Sequence, residues 1–161
     1  MAEWFIKLGD AIKGESQAEG QNGAIDLLSW SWGMNNPGSS ATGGGGGTGL
    51  VNVMDLNFTK KSDSATPAIL KHCTNGTPIP TVNLYGRKAG GKQQFTYYDI
   101  TMNDVLISSV SVGGMDGADN ETDSVSLNFA KVKVQYFAQK KDGTVEPKDQ
   151  MTYDLKKRKN V

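Results

Sequence analysis

The chain has one cysteine, Cys73, one histidine, His72, five prolines and no excess of either charge, with 17 Lys plus Arg against 17 Asp plus Glu. Each scarcity excludes something. A lone thiol makes no internal disulfide, so the fold does not depend on an oxidising compartment. A single histidine cannot supply the usual zinc sets. Its neighbour Cys73 projects about 100° away on a helix, so the two cannot pair as nucleophile and base. Zero net charge gives no footprint for nucleic acid or an anionic membrane, and little self-repulsion to oppose assembly. No stretch approaches the roughly 20 apolar residues of a membrane span. The N-terminus, MAEWFIKLGDAIKGE, has neither a basic start nor an unbroken apolar run, so it is not a secretory signal. The expectation is a protein made in the cytosol and, if exported, exported without a cleaved signal.

What is abundant is glycine, at 20 of 161 residues, and two-residue periodicity. The length fits one domain, with 37% hydrophobic and 21% charged residues. EWFIKLG places Trp4, Ile6 and Leu8 on one face; DLLSWSWGM places Leu28, Trp30, Trp32 and Met34 together and Ser29 and Ser31 opposite. TVNLYGRK, QFTYYDITM and DVLISSVSVGG continue the alternation, so these runs predict strands. Two runs change phase. SVSLNFAKVKVQYFA moves its apolar set from odd to even positions, and VNVMDLNFTKK slips between Val53 and Met54. A strand cannot switch faces without a bulge, a bend or cover on both sides. SDSATPAILKHCTNG predicts the one short helix, over about 65–75, with Ser64 or Thr66 as N-cap, Pro67 in the first turn and Asn75-Gly76 closing it. A buried Cys73 and a partly exposed His72 are expected on it. The tail carries a turn at Asp142-Gly143 and a last strand near Met151–Leu155, and the basic KKRKN at 156–160 is expected as a solvated end.

GGGGGTG, residues 43–49, is the obvious motif candidate. A phosphate loop needs Lys-Ser/Thr next and a helix after, and a dinucleotide fingerprint also needs a helix. Leu50-Val51-Asn52-Val53 follows instead, which is a strand pattern. The whole stretch from Asn35 to Gly49 is about 15 residues, beyond ordinary hairpin loops. Ordering glycine backbone costs at least ~1–2 kcal/mol per residue, with no side chains to offset it. An ordered form therefore needs another surface, which makes an intermolecular role plausible. DGADNETD lacks the ligand spacing of a calcium loop and is expected to be a solvated acidic turn. Ser29 and Ser31 face either plain solvent or the wall of a polar channel. No catalytic, metal or cofactor site is predicted, and no GxSxG elbow occurs.

Taken in order, FIKLGDAIKGES, IDLLSWSWGM, the glycine-rich loop, VNVMDLNFTKKSDSATPAIL, RKAGG and LNFAKVKVQY resemble the haemolysin-coregulated protein family of bacterial type VI secretion, over roughly residues 5–140. The resemblance implies a mainly β fold, a two-sheet β-barrel with the short flanking helix and the long Gly-rich loop at about 35–50, forming a single domain over residues 1–161 with no C-terminal effector extension. It implies a homo-hexameric ring, stacked into an inner tube that a contractile sheath expels, with a spike at the tip and effector proteins in the channel. It implies no enzyme and no cofactor. The loop residues Asn35, Pro37, Gly43, Gly44, Gly45, Gly46, Gly47, Thr48, Gly49 and Leu50 become candidate subunit contacts, and Ser29 and Ser31 candidate channel wall. The alternative is a monomeric barrel that binds a small molecule, which needs an apolar-lined interior within one chain.

Overall fold

The computed structural model describes residues 1–37, 51–91 and 93–161. Among these, strands dominate. They are β1 (Glu3–Lys7), β2 (Ile25–Asp26), β3 (Ser29–Ser31), β4 (Met34–Asn35), β5 (Asn52–Val53), β6 (Leu56–Lys61), β7 (Ile79–Gly90), β8 (Gln93–Ser111), β9 (Thr122–Asn128), β10 (Lys131–Gln139), β11 (Val145–Asp154) and β12 (Lys159–Asn160), with one helix, α1 (Thr66–Asn75).

Ten strands form one antiparallel sheet that branches at β8. One layer runs β12-β11-β10-β8-β7-β1-β2; the second continues from β8 through β9 and β6 to β3. The first part of β8 pairs β7 and β10, while Leu106–Ser111 pairs β9. Nineteen residues of continuous strand thus serve both layers. Asp104 at φ 51 marks the corner between them. The two layers share one core: Ile6, Leu84, Ile100 and Val132 from the first meet Leu56, Phe58, Val125 and Leu127 from the second, all below 2% exposed. β4 and β5 form a separate two-stranded ladder.

The fold is therefore mainly β, with two layers and one short helix, as expected. The expected barrel is not closed by its ladders, because the pairing ends at β2 in one layer and at β3 in the other. Between those ends the Leu27 N–H donates to Trp4 O and the Leu28 N–H to Thr59 O, each at 2.9 Å. The chain steps from one layer to the other there.

Both phase slips are breaks between elements. Phe129-Ala130 separates β9 from β10, which lie in different layers, and Met54-Asp55 separates β5 from β6. The single Trp-rich strand expected over 27–34 is instead three short ones. Trp30 and Trp32 are half-buried as core partners, but Leu28 and Met34 stay 54% and 42% exposed. Phe5, expected opposite the core, is 2% exposed because the 15–23 segment crosses that face. There the Arg87 guanidinium lies 4.9 Å from the Phe5 ring and donates to Glu19 O, and the Tyr85 hydroxyl donates to Gln21.

Helix α1 starts one residue later than expected. Ala65 occupies the N-cap with no side-chain cap, so neither Ser64 nor Thr66 fills that role. Pro67 sits in the first turn, and Gly76 closes the helix at φ 63, ψ 28, where its missing Cβ permits the left-handed turn. Ile69 is buried, whereas Cys73 is only half-buried. The last strand, β11, begins at Val145, earlier than expected, and the basic end adds β12 rather than remaining free of the sheet.

What takes the place of a cap is a buried ion network. Lys60, 0% exposed, donates to Asp63 Oδ1 at 2.7 Å, Asp123 Oδ2 at 2.9 Å, Lys61 O at 3.0 Å and Thr66 Oγ1 at 3.1 Å. Ser62 and Thr66 hydroxyls also donate to Asp123. Burial pushes the Asp123 carboxyl up, but hydrogen bonds from Ser62, Thr66 and Lys60, with the Lys60 charge, outweigh it and hold it below the usual range. The network ties β6, β9 and the first turn of α1 together.

Candidate functional site: a polar sheet face

The second layer has an apolar inner face and a polar outer one. Period-two alternation sends Trp30, Phe58, Val125 and Leu127 inward, and the residues between them outward. The ladder registers then align the outward residues in rows. Ser29 pairs Thr59, Thr59 pairs Ser124, and Ser124 pairs Ser111. One rung away, Ser31 pairs Asn57, Asn57 pairs Ser126, and Ser126 pairs Ser109. At about 4.8 Å per strand, each row of four spans roughly 14 Å. The rows line a shallow groove of about 360 Å³.

Every side chain in the two rows is a neutral hydroxyl or amide. Ser29 Oγ and Thr59 Oγ1 lie 2.6 Å apart, and Ser126 donates to Asn57. A bulge between Ile107 and Ser109 turns Ser108 to the Asp55 carboxylate, at 2.6 Å. Asn128 Nδ2 donates to the other Asp55 oxygen at 3.0 Å. The one carboxylate at that end of the face is thus occupied by neutral donors.

The structure brings Ser29 and Ser31 together on this face, both exposed. The expected loop contacts are elsewhere: Asn35, in β4, accepts from Asn52 Nδ2 at 3.0 Å, and Pro37 is exposed. Gly43, Gly44, Gly45, Gly46, Gly47, Thr48, Gly49 and Leu50 lie outside the described residues. Sequence alternation found the two serines of β3 but missed Thr59, Asn57, Ser124, Ser126, Ser109 and Ser111. Their signal was present, since each is a small polar residue between two core residues. Which rows they join depends on ladder register, which one sequence does not give.

The face has no reactive pair. His72 lies on α1 with Nδ1 2.9 Å from Ala68 O, away from these serines. Among the described residues no three His, Cys, Asp or Glu side chains converge on a metal position, and no helix is long and apolar enough to cross a membrane. The space between the layers is filled by core side chains, which leaves the alternative of an apolar-lined binding barrel without a cavity between the packed layers.

A mainly β subunit with one polar sheet face and a separate loop-bearing ladder is the class that this geometry defines. The family model described as type VI secretion system effector, Hcp, matches residues 5–136. Protein hcp1 of Pseudomonas aeruginosa is 48% identical over 141 residues, 88% of this chain and 86% of that protein. The crystal structure of Hcp1 from Salmonella typhimurium superposes with a TM-score of 0.79 at 30% identity, covering 99% of each chain. That of a type VI secretion system effector from Yersinia pestis gives 0.74 at 27% identity, over 94% of this chain and 98% of that one. The chain belongs to the Hcp family of type VI secretion tube proteins.

Proposed function

We propose that this protein is the repeating subunit of a type VI inner tube: six copies close into a ring, rings stack, and the polar face of the second layer, with Ser29 and Ser31, forms the channel wall. The observation that carries this is the pair of neutral polar rows on an otherwise well-packed domain. A wall of hydroxyls and amides exchanges hydrogen bonds with water and with a passing protein alike, and holds neither tightly. The family's printed descriptions as secretion proteins support the assignment. So does surface area: the chain exposes 9831 Å², against about 7,800 Å² for a compact monomer of this mass. The difference is on the scale of the area a subunit buries against two neighbours.

In this reading the 35–50 loop, including Asn35, Pro37, Gly43–Gly47, Thr48, Gly49 and Leu50, lies against sibling subunits, and the step at Leu27-Leu28 completes the two-sheet barrel. The contractile sheath, the spike and effector proteins are the partners, export bypasses a signal peptide, and the chain is not an enzyme. Sedimentation with negative-stain imaging tests it. Annular particles of about six times the 17.3 kDa chain mass are expected, and a compact monomer at high concentration overturns it.

A further inference from the structure

Two surfaces at opposite ends of β9 are left without partners inside one copy. Before β9 stands the β8–β9 turn, with Val112 51% and Met115 77% exposed beside the exposed acids Asp116, Asp119 and Glu121. Beyond the other end of β9, the Leu155 N–H donates to Ala130 O and brings in the basic turn Lys156–Lys159. Next to that turn is a groove of about 350 Å³ lined by Met34, Val51, Val53, Met151, Tyr153 and Arg158. One end of the molecule is an apolar knob edged with carboxylates. The other is an apolar groove edged with ammonium and guanidinium groups, and no carboxylate lines it.

We propose that the Met115 knob of one copy docks in the Met34–Tyr153 groove of a second copy in the next ring. The occupant is a second copy because this same chain carries the complement in both respects. Met115 is an apolar plug of a size the groove admits, and three carboxylates face four basic residues, Lys156, Lys157, Arg158 and Lys159. Seven residues of β9 separate the two surfaces by roughly 24 Å, so no copy can close the contact on itself. Such a contact is head to tail and propagates. The assignment to successive rings, rather than to neighbours within one ring, rests on the channel-wall reading above. If the wall strands run along the channel, their two ends open at the two mouths of the ring.

Charge steers and registers the contact while apolar burial holds it. The test is disulfide trapping in the full chain with Cys73→Ser. Met115→Cys together with Met34→Cys is expected, on oxidation, to give covalent ladders longer than one ring. The control pair Met115→Cys with Val145→Cys, the latter at the β10–β11 tip, is expected to give none. Raising salt from about 50 mM to about 500 mM cuts the yield several-fold. Asp116→Lys/Asp119→Lys/Glu121→Lys does the same, and adding Lys156→Glu/Lys157→Glu/Lys159→Glu restores it. Rings that form normally but give no more product than the control pair overturn the contact. So do products that stop at one closed ring, which place the contact inside the ring. An absence of rings in the unmodified protein overturns the tube reading itself, independently of whether the trapped pair forms.

Discussion

Lys60 is the residue on which the second layer depends most directly. Its ammonium is buried with four oxygens within 3.1 Å, two of them carboxylate. Removing one member of such a pair leaves an uncompensated buried charge and costs about 3–5 kcal/mol, whereas replacing the pair by apolar groups is often neutral or better. Lys60→Met is therefore expected to lower urea stability by that amount, and Lys60→Met/Asp123→Leu to recover most of it. Equal losses in both would show that the charges themselves are needed. The pH dependence has a definite sign. The Asp123 pKa is lowered by folding, so its contribution is present above the unfolded value of about 4 and fades as pH falls through the folded one. Asp99 behaves oppositely: burial raises its pKa, ahead of the lowering by Asn83, Lys133 and Thr101, so its ionisation weighs against the fold near neutrality. Asp123→Asn should destabilise at pH 7 and lose its effect in acid. Asp99→Asn should stabilise at pH 7, again less so in acid. Urea midpoints across pH check both directions. A steric test stands nearby at Gly86, where an added Cβ would meet the Trp4 ring at 2.7 Å. Gly86→Ala should cost about 1–3 kcal/mol by overpacking.

At the scale of elements, legibility followed periodicity. The phase slips at Phe129-Ala130 and Met54-Asp55 showed where strands end, because apolar parity cannot change within one packed strand. They did not show that β9 and β10 lie in different layers, since that depends on partners distant in sequence. Helix α1 was legible from Pro67 and Gly76, but its start was misassigned. Thr66 looks like a cap, yet its hydroxyl accepts from the Asp63 N–H and donates to Asp123 within the Lys60 network. That network carried a signal too: Lys60 stands in phase with Leu56 and Phe58, and Asp123 with Val125 and Leu127. Two opposite charges at core positions of two strands are best explained by a pair, and register puts them directly opposite. The helix end gives a simple prediction. Gly76→Ala forces a Cβ into the left-handed region and should cost about 1 kcal/mol, visible as a shift in thermal midpoint without loss of the β signal.

For the whole molecule, the question is what one copy leaves unfinished. The polar face was half legible: Ser29 and Ser31 came from alternation, and the other six members of the rows came only from register. A face of this kind adds little to stability, because its side chains exchange hydrogen bonds with solvent. Ser31→Gln or Ser124→Gln should therefore leave the unfolding free energy within about 0.5 kcal/mol of the parent. In a ring the same change is repeated by symmetry around the channel, so each added side chain narrows the passage several times over. The expected result is an intact ring, seen by imaging, with altered retention of a co-expressed effector. A monomer carrying the substitution would show neither effect. An intact ring with unchanged retention for both serines would remove this face from the channel. A broken ring would place the face between subunits, where the loss of assembly would track side-chain volume rather than effector identity.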